Sequence, residues 1–222
     1  METQEISSLD GLHQAFRHVL GLADIFRGVR DANYELIPSF GRLTNMPVDQ
    51  RLSVEKWIFD EFKRSARGHV QDNLENDWEW LALGQHHGLP TRLLDWTHSP
   101  LVAAFFAVER DFDGDSAIYH TRFSQIYRPG AADSPFEISQ PFVFSPPNIA
   151  PQIPVQSSIL TIQPDPFVPL EGFSMTKLIV KREIRVQVRT MLEIYGIHRG
   201  SIFPSLEGLA ARLKNVASGG MA

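Results

Sequence analysis

Six polar residues in two stretches of this chain have the types and neighbours that chemistry asks for: Arg27 in one, and Gln85, His86, Asp95, Thr97 and Ser99 in the other. Arg27 lies in the short run from Asp24 to Val29, which reads as a strand, and Gly28 follows it. A planar guanidinium holds two oxygens of one phosphate at once, which a lysine cannot do. The second stretch, GQHHGLPTRLLDWTHSPLVAAFFAV at 84–108, reads as a strand delivered into a helix through a tight polar turn. Ser99 suits the N-cap and Pro100 the first helical position, while Leu101, Ala104, Phe105 and Val108 follow at helical spacing. A corner of this kind gathers free backbone N–H groups and the positive end of a helix dipole, which favours an anion.

Each of these residues also has a structural use. Arg27 can cap a helix C-terminus or pair with Asp31 or Asp95, and Asp95 can pair with Arg92 to hold the turn. Thr97 has ordinary β propensity and Ser99 is a natural cap. His86 and His87 are adjacent and point in different directions on a helix, so they do not form a two-ligand face at i, i+4, and no metal is expected. The chain has no cysteine, which removes thiolate nucleophiles, thiolate zinc sites and disulfides.

The elements that must position these residues follow from pattern. With 222 residues, 43% hydrophobic and 10% aromatic, one globular domain over 1–222 is the default. A first amphipathic helix over about 8–21 carries Leu12, Phe16, Val19 and Leu20. Val54, Trp57, Ile58 and Phe62 mark a second helix, and Trp78, Leu81, Ala82 and Gln85 a third that stops at Gly88 and Pro90. The tryptophans are expected in or beside the core stripes of these helices. Ile118 and Tyr119, Ser158 to Gln163, Lys177 to Lys181 and Ser201 to Phe203 read as strands, and Ile184, Val188, Leu192 and Tyr195 as a late helix. Asp31 to Phe40 and the Pro-punctuated section from Tyr127 to Pro154 read as loops, and the tail SGGMA as flexible. The fold expected is α+β, a helical N-terminal half packed on a small, split, mainly antiparallel sheet with a cleft between them. A net charge of -5 speaks against a non-specific nucleic-acid coat but leaves room for a local basic cleft. The polar N-terminus is unlike a secretory signal and no stretch is apolar enough to span a membrane, so a cytoplasmic setting is expected.

Three segments together carry a family resemblance: IFRGVRDANYELIPSFGR at 25–42, QHHGLPTRLLDWTHSPLVAAFFA at 85–107 and GIHRGSIFPSLEGLA at 196–210. They resemble the FRG domain, a bacterial family named for its Phe-Arg-Gly motif and found in toxin and phage-defence settings, and the likeness spans about residues 20 to 213. A more distant resemblance is to mono-ADP-ribosyltransferases of the Arg-Ser-Glu type. Phe26-Arg27-Gly28 is similar to their phosphate-holding first element, and Asp95 to Ser99 followed by Leu101 to Ala107 to their second. Their third, a glutamate near the nicotinamide ribose, has Glu207 as its positional counterpart, with Glu183 and Gln156 behind it.

That likeness implies NAD as substrate, no metal, and an ADP-ribosyltransferase-like fold. Arg27, Gly28, Gln85, His86 and Asp95 would bind the dinucleotide, and Glu207, Thr97 and Ser99 would serve catalysis. The acceptor would be DNA, RNA or protein, and an antitoxin or immunity partner would fit a toxin. Two other readings stand beside it: a non-catalytic module that recognises a nucleotide or nucleic acid, and a hydrolase using Ser99, His86 and Asp95. The hydrolase lacks a G-x-S-x-G elbow, and its serine is already a cap.

Overall fold

Seven strands assemble into one sheet in a computed structural model, which describes residues 1–17, 21, 23–70, 74–130, 133–145 and 157–217. In chain order they are β1 (Glu2–Ile6), β2 (Asp24–Val29), β3 (Leu93–Thr97), β4 (Ser116–Arg122), β5 (Phe142–Phe144), β6 (Ser158–Ile162) and β7 (Met175–Val180). They lie side by side as β1-β7-β4-β2-β3-β6-β5, with β1 and β7 parallel and the other pairs antiparallel. The described helices are α1 (Leu9–Phe16), α2 (Arg51–Ala66), α3 (Asp77–His86), α4 (Pro100–Val108), α5 (Arg185–Ile194), α6 (Arg199–Ile202) and α7 (Leu206–Ala217).

Alternation along the strands feeds two faces. Phe26, Ile118, Leu178 and Val180 pack with α4, with Leu12 of α1 and with Val188 and Leu192 of α5. Ile25, Leu94, Trp96, Tyr119 and Ile159 pack on the other side against Leu36 and Leu170 of the connecting chain. Helix α4 is buried at Val102, Ala103, Ala104, Phe105, Ala107 and Val108, almost all round, as its apolar sequence requires. Each large side chain buried there contributes roughly 1.5–3 kcal/mol. A third cluster joins α2 and α3 to β3, β5 and β6 through Phe59, Trp78, Leu81, Leu93 and Leu160.

The α+β class with a mainly antiparallel sheet is as expected, and the sheet is larger than the sequence suggested. It stays continuous, yet β2 and β3 share a single register pair, Phe26↔Thr97. Beyond that pair the two strands part, and the opening holds the site described below.

Four readings need correction. Ser201 to Phe203, read as a strand, falls largely in the short helix α6, whose capping box joins His198 and Ser201. Trp57 is 65% exposed rather than in the core stripe, because α2 turns Glu55 and Phe59 inward. Glu55 is buried because Arg92 pairs with it, Nε to Oε1 at 2.9 Å with the second arm closing on Oε2, both side chains within 3% of full burial. Arg92 therefore does not pair with Asp95. Strands β1 and β5 were not expected: β1 is polar and buries only Ile6, and the apolar Phe-Val-Phe of β5 is three residues inside the Pro-punctuated section read as a loop. Val19 and Leu20 of the first helix, Gln156, the section 146–154 and the SGGMA tail lie outside the described residues.

Candidate functional site

Gly28 determines how closely α4 lies on β2. A Cβ built there would stand 1.8 Å from the Ala103 carbonyl oxygen and 2.7 Å from the Ala107 nitrogen, so the helix backbone touches the strand backbone. The motif glycine thus brings α4 down beside Arg27, the preceding residue. At the other end of the contact, Pro100 opens α4, the Ser99 hydroxyl accepts the Val102 N–H at 3.3 Å, and the Ser99 N–H donates to Thr97 Oγ1 at 3.0 Å.

Between the parted strands Arg27 Nη1 donates to the main-chain oxygen of Asp95 at 2.6 Å and stands 3.9 Å from the Asp95 carboxylate. The Arg27 side chain is 19% exposed and that of Asp95 59%. Burial is the largest influence on the guanidinium and pulls its pKa below the ordinary range, Asp95 pulls it back, and Arg42 adds a like charge. Arginine keeps its proton under these conditions, so the guanidinium remains a largely buried cation whose neighbouring carboxylate, Asp95, is 3.9 Å away and 59% exposed. Gln85 donates to the Asp95 carboxylate at 2.8 Å and accepts from the Thr91 hydroxyl, whose backbone N–H donates to Ser39 Oγ at 3.1 Å. This chain of bonds fixes both Gln85 and Asp95.

These groups line one cavity of about 380 Å³, within the ordinary range for small-molecule sites. Arg27, Gly28, Gln85, His86, Asp95 and Thr97 all contribute to its wall, so six of the eight residues singled out from sequence are brought together. Ser99 is not on the wall, and its hydroxyl is engaged as the α4 cap. Glu207 is not on the wall either. It is exposed in the first turn of α7, where a hydrogen bond to its own backbone N–H and one to Ser205 hold its carboxyl below the ordinary range. Glu183 is exposed in the turn before α5 and also stands apart.

Five further wall residues were not singled out: Phe26 and Trp96, which flank the chosen residues in the two motifs, and Phe106, Phe203 and Ser158. Phe106 follows Phe105 on α4, one position off the core stripe, and that offset was the available signal. Phe203 meets Phe106 edge-on, with centroids 6.1 Å apart, and lies under the Arg199 guanidinium at 5.1 Å. Arg199 is in turn held by Glu109 at 2.8 Å. The floor is firm as well, since the Trp96 indole donates to Thr161 Oγ1 at 2.9 Å.

Chemically, the cavity offers a fixed cation, a fixed carboxylate, an amide, a hydroxyl and aromatic walls. Among the described residues no three His, Asp or Glu side chains gather to hold a metal ion, and no helix is long and apolar enough to cross a membrane. In comparison with known proteins, the model of the FRG domain matches residues 23–116. That stretch contains the Arg27 strand and the whole of the 84–108 segment, while α6 and α7 lie beyond it. Neither the curated proteins nor the solved structures return a match.

Proposed function

Since the chain carries an FRG domain over residues 23–116, we propose that this domain binds NAD at the Arg27 cleft and cleaves its nicotinamide–ribose bond, passing ADP-ribose to water or to an acceptor. The observation that carries this reading is the state of Arg27. Its guanidinium is mostly buried, faces a cavity, and has one hydrogen bond among the described residues, to a carbonyl. A diphosphate adds a second anion beside the Asp95 carboxylate, and the planar fork grips two of its oxygens.

Breaking the glycosidic bond leaves the electron pair on the nicotinamide nitrogen and develops positive charge on the ribose, as in glycoside hydrolysis. The Asp95 carboxylate, tied by Gln85, is the anion on the cavity wall that can face that charge, and the Thr97 hydroxyl lies on the same wall. Phe106 and Phe203 offer apolar faces for the departing ring. When water is the acceptor the products are ADP-ribose, nicotinamide and one proton. A toxin or defence role, with an antitoxin as partner, is the setting in which such an NAD-consuming activity would serve.

One observation favours a second reading, a recognition module that binds a nucleotide without chemistry: Glu207, the glutamate implied by the transferase likeness, stands outside the cavity. Nicotinamide release from NAD by the purified chain separates the two. Release that depends on Arg27 supports the enzyme, and binding with NAD left intact supports the module.

A further inference from the structure

Past Arg27 and Gly28 the cleft continues into a second cavity of about 780 Å³, sharing those two residues and Phe106 with the first. Arg30, Arg42 and Arg110 join Arg27 on its walls, against two carboxylates, Glu35 and Glu109. Glu109 is already engaged by Arg199 at 2.8 Å. The groove therefore carries surplus positive charge on a chain of net charge -5. Concave charge opposite in sign to the whole molecule selects an anionic partner.

Arg110 stands 3.7 Å from Glu109, a carboxylate it shares with Arg199, while Arg30 and Arg42 are posed rather than neutralised. Arg42 donates to the Ile37 carbonyl at 2.7 Å, which orients the guanidinium without cancelling its charge. Arg30 donates through Nη2 to the Tyr34 hydroxyl at 2.9 Å, while its Nε is buried with no hydrogen-bond partner. Tyr34 is 46% exposed, so an aromatic ring stands in the groove with its hydroxyl pinned. Phe106 gives a second aromatic surface where the two cavities meet. Guanidinium groups interleaved with aromatic rings suit a nucleic-acid strand whose bases are free to stack, and a duplex keeps its bases paired away from such rings.

We infer that this groove holds single-stranded nucleic acid as the acceptor, with phosphates on Arg30, Arg42 and Arg110 and the reacting nucleotide at Phe106. The inference rests on the NAD reading above and names the acceptor class for the same site. In the transfer, an oxygen or nitrogen of that nucleotide forms a bond to the ribose C1′ as the bond to nicotinamide breaks. The electron pair of the broken bond leaves with nicotinamide, and the nucleophile's proton passes to solvent.

The test is fluorescence anisotropy of the full chain with labelled single-stranded RNA, single-stranded DNA and an acidic peptide, alongside nicotinamide release without any strand. Arg42→Ala with Arg110→Ala is compared with Arg64→Ala, a change on α2 away from the groove. The expected result is strand binding that the double variant weakens roughly tenfold, with the slope of log affinity against log salt shallower by about 1.4. Arg64→Ala should bind as the unaltered chain does, and the stronger of RNA and DNA names the sugar. Absence of strand binding, equal affinity in the double variant, or tighter binding of the peptide would overturn the inference, the last by assigning the groove to a protein. Nicotinamide release with no strand binding overturns the groove alone. Strand binding through these arginines with no release keeps the groove as a binding surface and overturns the NAD reading.

Discussion

Arg27 Nη1 stands 2.6 Å from the main-chain oxygen of Asp95, across a gap where β2 and β3 keep only the Phe26↔Thr97 pair. The side chain supplies a donor to a strand carbonyl that a continuing ladder would have satisfied from backbone. Parting of the strands makes room for a ligand, and the arginine bridges the opening on the cavity wall.

Asp95 and Glu207 are distinguished by this arrangement. With Asp95 on the cavity wall and Glu207 exposed on α7, Asp95→Asn should lower NAD turnover by about 100-fold or more, while Glu207→Ala should retain it. Thermal melts of both variants control for folding. Loss of turnover in Glu207→Ala with the fold intact would return the acidic role to α7.

The Gly28→Ala change tests whether the motif glycine is architectural. Its added carbon would collide with the Ala103 carbonyl, backbone that cannot step aside without lifting α4 from β2. A loss of at least ~3 kcal/mol in urea unfolding is expected. A loss under about 0.5 kcal/mol would show that the helix is not seated as described.

Glu55 and Arg92 form a buried pair, so removing one partner strands a charge. Glu55→Ala should cost about 3–5 kcal/mol, and the joint replacement Glu55→Leu with Arg92→Met should cost less than either single change. Urea denaturation of the four proteins measures the coupling. Strict additivity would contradict a shared interaction.

Asp115 provides the acid-side signature. The hydrogen bond from Lys181, joined by the backbone N–H of Arg182, holds its carboxyl below the ordinary value of 3.8, against the opposing pull of burial. A carboxyl depressed in the folded state stabilises fully above 3.8, and that stability fades as pH falls through the lower folded value. Between pH 5 and about 2 the melting temperature of the unaltered chain should therefore drop more steeply than that of Asp115→Asn. Parallel curves would remove Asp115 from the acid transition.

Much of the site was legible because its signals were local. Ser99 before Pro100 announced the start of α4, and Phe-Arg-Gly together with the 84–108 segment drew six wall residues toward one place. Long-range partners left no such mark. Nothing near Glu55 in the sequence indicates that Arg92, 37 residues on, would draw it inward and leave Trp57 in solvent. Phe203 was misread because Ser201-Ile202-Phe203 has β-branched and aromatic content, yet His198 and Ser201 cap each other into a helical turn. Strand β1 is polar at four of its five positions and exists because β7 offers it a parallel edge.

The most direct measurement of the central claim is the binding of ADP-ribose to the unaltered chain and to Arg27→Lys, by calorimetry at matched salt. A lysine keeps the charge and loses the two-pronged grip, so the affinity should fall roughly tenfold or more with the melting temperature preserved. Equal affinity of the two proteins, or no heat of binding from the unaltered chain, would contradict a guanidinium that holds the diphosphate.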